Sequence, residues 1–301
     1  MHLHRIKILI VITALALIAA YGCLGPNGKI AYIGTEESNK ELYVMNADGS
    51  NKVKIGNASV ACISPDSSKI AYFKWDDNVG SLQNDNTGIF VTDTRRQGNT
   101  KIAEHEARQL SWSPDGSKIA FVNGDQFLTM NEDGSNITRL SPAGTMMSRW
   151  PTWSPDGMKI AFACWSGYPD DLVMGLHTIN ADGSNLQLVF NTTGNQIGGI
   201  AWSPDGNTIA YIASMDKIVT INTDGSDKKT ILACADVDDT TSILKYLMWS
   251  PDGKRMVFTA DYKMAGSLTT HIHICTINTD GSGLKIIADN LQSDAFPSWG
   301  S

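Results

Sequence analysis

Trp112-Ser113-Pro114-Asp115-Gly116, followed at once by Lys118-Ile119-Ala120-Phe121, recurs along the chain. Full copies of the pentapeptide start at Trp153, Trp202 and Trp249, and a worn copy runs Ile63-Ser64-Pro65-Asp66-Ser67. Each is followed by an apolar stretch such as Lys159-Ile160-Ala161-Phe162 or Thr208-Ile209-Ala210-Tyr211. Read from Ile70 through Ile119, Ile160 and Ile209 to Met256, the period is 49, 41, 49 and 47 residues. That is the size of a propeller blade.

A second motif interleaves with the first. Asn-x-Asp-Gly-Ser closes a strand at Asn46, Asn131, Asn180, Asn222 and Asn278. Asp-Gly between two strands is a strong hairpin signal, because glycine accepts positive φ and aspartate bonds its own turn. The stretch Thr94-Arg95-Arg96-Gln97-Gly98 departs from it. Each repeat therefore reads as four strands: A with the tryptophan, B with Ile-Ala-Phe, C alternating, and D after the Asp-Gly turn. Four short strands repeated radially protect their own edges.

The chain ends supply the missing pieces of one more repeat. Pro297-Ser298-Trp299 is a strand A without its B, and Lys29-Ile30-Ala31-Tyr32 is a B without its A. The expected fold is all-β, a six-bladed β-propeller with four antiparallel strands per blade, the last blade shared by the two termini. Residues 29–301 form one domain in this reading.

The first 22 residues stand apart. Arg5 and Lys7 precede an apolar run from Ile8 to Ala20, too short to span a bilayer and of signal-peptide form. The run ends Ala20-Tyr21-Gly22-Cys23, which resembles the lipobox of prokaryotic lipoproteins although Tyr21 is bulky where a small residue is usual. The resemblance implies lipidation of Cys23, with 23–28 as a short tether. An ordinary cleaved signal and a retained anchor are the other readings. The remaining cysteines, Cys62, Cys164, Cys234 and Cys275, fall in four different blades, which favours buried thiols over disulfides. A net charge of −7 argues against nucleic acid as a partner.

The repeat Trp-Ser-Pro-Asp-Gly-x-x-Ile-Ala-Phe, then a strand, then Asp-Gly-Ser, resembles that of TolB-type propellers over everything after Cys23. The resemblance implies the architecture and a channel mouth that receives a partner's segment. Propeller peptidases share the repeat but add a hydrolase domain with a Gly-x-Ser-x-Gly elbow, a motif this sequence lacks.

Two faces follow from the topology. The short Pro-Asp-Gly and Asp-Gly-Ser turns share one, where turn chemistry accounts for the aspartates without a metal. The variable B–C and D–A connections share the other, and variable loops on a rigid scaffold are where binding residues sit. Those connections carry Trp75, Asp76, Trp150, Trp165, Tyr168, Asp261 and Tyr262. They read equally as a binding surface or as aromatics folded back on the blades. Four residues before each strand-A tryptophan position stand Ser59, Arg108, Arg149, Gly198, Lys245 and Ala295. Arg108, Arg149 and Lys245 thus suggest a mouth that receives an anionic group, or a solvated rim offset by nearby acids. His271 and His273 share a face of one strand without a third metal ligand in view, and none of His105, His177, His271 and His273 has an evident Ser or Cys partner.

The functional expectation is an extracytoplasmic, membrane-tethered, monomeric binding module for a protein, peptide or cell-envelope ligand, with no cofactor. The alternative is a carbohydrate- or small-molecule-acting enzyme working in the channel.

Overall fold

A computed structural model describes residues 29–36, 39–46, 51–75, 87–95, 97–141, 146–166, 173–193, 196–234, 243–250, 252–263 and 270–291. The strands are β1 (Lys29–Glu36), β2 (Asn39–Asn46) and β3 (Val53–Asn57) in blade 1, then β4 (Val60–Ile63), β5 (Lys69–Lys74), β6 (Gly88–Asp93) and β7 (Thr100–Ala103) in blade 2. Blade 3 has β8 (Leu110–Trp112), β9 (Lys118–Asn123), β10 (Gln126–Asn131) and β11 (Thr138–Arg139). Blade 4 has β12 (Met146–Trp153), β13 (Lys159–Ser166), β14 (Val173–Asn180) and β15 (Gln187–Thr193). Blade 5 has β16 (Ile197–Trp202), β17 (Thr208–Ala213), β18 (Lys217–Asn222) and β19 (Lys229–Ala233), and blade 6 has β20 (Ile243–Trp249), β21 (Arg255–Lys263), β22 (Thr270–Asn278) and β23 (Lys285–Leu291).

Each blade is an antiparallel meander in chain order, and the fold is the six-bladed β-propeller expected. Blade 1 shows three described strands. Its fourth, expected around Trp299, lies outside the described residues, as do the leader and Cys23. Among the described residues no helix is long and apolar enough to cross a membrane.

The hydrophobic core is a set of slabs between neighbouring blades, which explains the Ile-Ala-Phe signature. Along β9, Ile119 and Phe121 face blade 2 and pack with Cys62, Phe73 and Ile89, while Ala120 faces blade 4 and packs with Phe162. Blade 4 repeats the arrangement: Ile160 and Phe162 face back to blade 3, and Ala161 and Ala163 face forward to Ile209 and Tyr211. Large residues on one face meet small ones on the next, so both faces are buried and the strand reads as a continuous apolar run.

The tryptophans join the blades a second way. The indole N–H of Trp112 donates to the Cys62 carbonyl (3.2 Å), Trp153 to Ser111 (3.2 Å), Trp202 to Thr152 (3.1 Å) and Trp249 to Ala201 (3.2 Å). Each acceptor sits one residue before the equivalent position in the preceding blade. These bonds run along the inner strands, which pack against one another in succession from blade 2 to blade 6.

The turn aspartates are fully engaged. Asp115 accepts bonds from the hydroxyls of Ser113 (2.6 Å) and Ser117 (2.8 Å) and from the Ser117 backbone N–H (3.0 Å). Ser113 Oγ in turn accepts the Lys118 N–H (2.9 Å), which pins the A–B hairpin. These bonds, led by the serine hydroxyl, hold the carboxyls of Asp66, Asp115, Asp156, Asp205 and Asp252 below the usual range. Asp133, Asp182, Asp224 and Asp280 are lowered the same way at the C–D turns. In blade 2, where the Asp-Gly-Ser motif is absent, Asp93 replaces it by accepting the backbone N–H groups of Arg95 (2.9 Å) and Gln97 (2.6 Å).

A depressed folded value means the stabilisation is complete above the unfolded carboxylate pKa of about 3.9 and is lost as pH falls through the folded value. Thermal melts followed by circular dichroism should therefore show a flat midpoint above about pH 5 and a steep fall below about pH 4. Asp115→Asn should lower the midpoint at pH 6 and fall less between pH 4 and pH 3. A wild-type midpoint that holds to pH 2.5 would contradict this.

The four described cysteines are free thiols. Burial pushes Cys164, Cys234 and Cys275 up to about 11, so none is poised as a nucleophile. One expectation is corrected: His177 does have a cysteine neighbour, with Nδ1 3.5 Å from Cys164 Sγ. The pair lies in the slab between blades 3 and 4, with His177 stacked on Phe162 (5.6 Å). Burial lowers the His177 pKa, so both partners stay neutral and the contact is one of packing.

Candidate functional site

Strand A differs between blades 2 and 3 and blades 4 to 6. In blades 2 and 3 the ladder covers only Val60–Ile63 and Leu110–Trp112, and just before it the Ser59 N–H donates to the Phe73 carbonyl and the Arg108 N–H to the Val122 carbonyl (both 3.0 Å). In blades 4, 5 and 6 it is longer and carries a register shift at the same place, between Arg149 and Thr152, between Gly198 and Ala201, and between Lys245 and Met248, with a second shift in blade 4 between Met146 and Arg149. A bulge inserts a residue, bends the strand and re-aims a side chain.

The inserted residues take a left-handed conformation, which strains a tryptophan or a tyrosine but not a glycine. Trp150 has φ 60°, Tyr246 53° and Gly199 51°. Nine non-glycine residues have positive φ among the described residues. Asn51, Asn136, Asn185 and Asp227 each follow an Asp-Gly-Ser turn, and asparagine and aspartate tolerate that conformation. Ser67 stands where the other A–B turns have glycine. The other four are Trp150, Ser214, Met215 and Tyr246. A bulky residue there costs on the order of 1–3 kcal/mol, and such strain gathers at functional sites.

Trp150, Met215 and Tyr246 all line one cleft on the B–C and D–A face, across blades 4 to 6, with a volume of about 510 Å³. The backbone holds them there. The Trp150 N–H donates to Gln109 Oε1 (2.8 Å), reaching across from blade 3. The Ser214 N–H donates to the Gln196 carbonyl and the Leu244 N–H to the Met215 carbonyl, both at 2.7 Å, which fixes the β17–β18 hairpin over the opening. Trp165, Met174, Ile212 and Leu244 complete a largely apolar wall. The backbone at Gly198 passes beneath the Trp150 indole: a Cβ there would lie 3.6 Å from Nε1.

Two of the three cations marked in the sequence, Arg149 and Lys245, line this cleft. Lys245 is tied to Asp261, Nζ to Oδ2 at 2.6 Å, with the Asp261 side chain only 12% exposed. Arg149 is exposed, and no ion-pair or hydrogen-bond partner is found for it among the described residues. Arg108 is not among the lining residues and pairs loosely with Glu106 (3.4 Å). Trp75, half exposed, lies edge-on to Phe73 (5.0 Å) in blade 2 and is not part of the cleft either.

Trp150, Trp165, Lys245, Asp261 and Tyr262 were expected in connecting loops. They stand instead on the ends of β12, β13, β20 and β21, because these strands run on beyond the repeated core. The side chain of Tyr262 and the residues Asp76 and Tyr168 lie outside what is described. Sequence reasoning missed Tyr246, Met215 and the Gly199 bulge. The signal lay one residue beyond the position it marked, where Trp150 and Tyr246 recur as aromatics three residues before a repeat tryptophan.

The fold and cleft define a β-propeller module with an aromatic, weakly cationic recess on its variable face. The model of the TolB beta propeller domain family matches residues 26–301, and the chain belongs to that family. Among solved structures, TolB from Acinetobacter baumannii is 18% identical, over 90% of this chain and 65% of that one (TM-score 0.59). A putative TolB from Agrobacterium tumefaciens is 16% identical over 83% and 90% (TM-score 0.58). An oligogalacturonate lyase from Vibrio parahaemolyticus is 14% identical over 90% and 78% (TM-score 0.62). At these identities the likeness is one of fold.

Proposed function

We propose that the chain is an exported, lipid-anchored propeller that binds an anionic group of a protein, peptide or cell-envelope ligand in the blade 4–6 cleft. The observation that carries this reading is the convergence of the bulky strained residues Trp150, Met215 and Tyr246 on the recess that also holds Arg149 and Lys245. The positive φ found at this place in blades 4 to 6 does not recur at the equivalent Val60 and Gln109 of blades 2 and 3, so the repeat itself does not require it. Membership in the TolB propeller family supports a partner-binding role and an extracytoplasmic setting. The leader and the lipobox-like Cys23 support tethering.

A second reading, a sugar-acting lyase or hydrolase, draws on the fold shared with oligogalacturonate lyases, one of them solved in complex with manganese. Among the described residues no cluster of three or more His, Cys, Asp or Glu could hold such an ion. Asp261, the partner of the lining residue Lys245, is already engaged in that ion pair. The described donors thus fit a manganese site poorly.

One fractionation experiment tests the proposal. Cells producing the full chain should yield it in the membrane fraction, and Cys23→Ser should release it. Affinity capture of envelope components should succeed with wild type and fall about tenfold or more with Arg149→Glu and with Trp150→Ala. Capture that survives both cleft variants would dismiss the cleft as the binding site, and a Cys23→Ser protein that stays with the membrane would dismiss the anchor.

A further inference from the structure

We infer that the cleft selects a monoanion in which one carboxylate lies beside an apolar or aromatic group. This rests on the binding role proposed above and narrows its ligand.

The first argument is charge. Two cationic side chains line the recess, but Lys245 is neutralised by the largely buried Asp261 at 2.6 Å. That leaves the guanidinium of Arg149 as the uncompensated charge among the described lining residues. A single planar guanidinium is matched to a single carboxylate, which it can hold through two parallel N–H···O bonds. A polyanion would bring further charges against described walls whose other cation, Lys245, is already paired with Asp261, and desolvating unpaired charges is costly.

The second argument is the wall. Trp150, Trp165, Met174, Ile212, Leu244 and Tyr246 present aromatic and aliphatic surface around the one charge. Aromatic side chains supply contact area at low conformational cost and favour a flat or apolar partner. The bulges at Trp150 and Tyr246 turn two of these rings toward the recess from blades two apart. The volume of about 510 Å³ admits one or two residues of a peptide or a small aromatic acid.

Gly198 supplies an independent handle. Its φ lies outside the positive region, so a side chain there is not strained by the backbone, yet it would project beneath the Trp150 indole into the recess. Gly198→Val should therefore fill the cleft without changing its charge.

The ligand chemistry has two sources, the free end of a polypeptide with an apolar last residue and a small apolar acid. Binding to the purified domain is followed by tryptophan fluorescence and calorimetry. The probes are acetyl-dialanyl-phenylalanine, its C-terminal amide, N-acetylphenylalanine and trigalacturonate. The free tripeptide acid should bind about tenfold or more tightly than its amide, and more tightly than trigalacturonate. Arg149→Gln should abolish the difference between acid and amide, and Gly198→Val should weaken both. Tripeptide acid tighter than N-acetylphenylalanine identifies a chain end as the source; parity identifies a small acid. Equal binding of acid and amide, tighter binding of trigalacturonate, or no binding of any probe overturns the inference. If envelope capture still depends on Arg149 and Trp150 in that event, the binding role stands and only the ligand class is wrong.

Discussion

Gly134→Ala should destabilise the domain by roughly 2–5 kcal/mol, against about 1–2 kcal/mol for Gly116→Ala, although both glycines are turn residues at similar φ. Gly116 has φ +71° and its Cβ would meet only Pro65 Cδ, at 3.9 Å, so alanine there bears the left-handed conformation and little else. Gly134 has φ +85°, and its Cβ would overlap the carbonyl oxygen of Ile102 in the preceding blade. The same approach recurs at Gly225 against Val189 (2.5 Å) and at Gly281 against Ile231 (2.9 Å). The Asp-Gly-Ser glycine is thus a docking point between blades as well as a hairpin residue. Urea unfolding at an unchanged m-value reads the difference directly. Equal costs at Gly116 and Gly134 would mean that the backbone relaxes and the blades do not meet there.

Trp202→Ala should cost about 3–5 kcal/mol, the range for emptying a large aromatic site in a packed interior. Trp202 is 8% exposed, packs in the slab between blades 4 and 5, and donates its indole N–H to Thr152. Trp202→Phe separates packing from the hydrogen bond. It keeps most of the ring and removes the donor, and should cost about 1–3 kcal/mol for the carbonyl left without it. Both values come from the same denaturation series. If Trp202→Phe proves neutral, water or strand pairing satisfies Thr152 and the indole bonds do not help hold the ring. The equivalent bonds at Trp112, Trp153 and Trp249 predict a similar ratio at those sites.

The candidate site depends on the blade packing made this way. Strain at Trp150 and Tyr246 persists only where surrounding structure over-determines it. Pairing of β12 with β13 and of β20 with β21, on either side of each bulge, supplies that constraint, together with the Gln109 bond from the neighbouring blade. Rigid inner strands therefore present the cleft, and a ligand would meet a surface already arranged for it. Lys245 is held by Asp261 and Arg149 is left open, which on the proposed binding role would give that surface its selectivity in charge.

The repeat sequence by itself determined the blades, because the interactions that build a hairpin are local. Ser-Pro-Asp-Gly and Asn-x-Asp-Gly-Ser bond within themselves over two to five residues, so their spacing alone places every A–B turn and all but one C–D turn. The alternation of large and small residues on strand B likewise needs only the pleat to be legible. The cleft was not legible in this way. It needs three bulges, a hairpin cap at Met215 and the cancellation of Lys245 by Asp261, which stands 16 positions further along. Sequence marked Arg108, Arg149 and Lys245 as equals because they occupy one position of the repeat. Tertiary structure separated them, since electrostatic partnership depends on distance through space, which a repeat position does not encode.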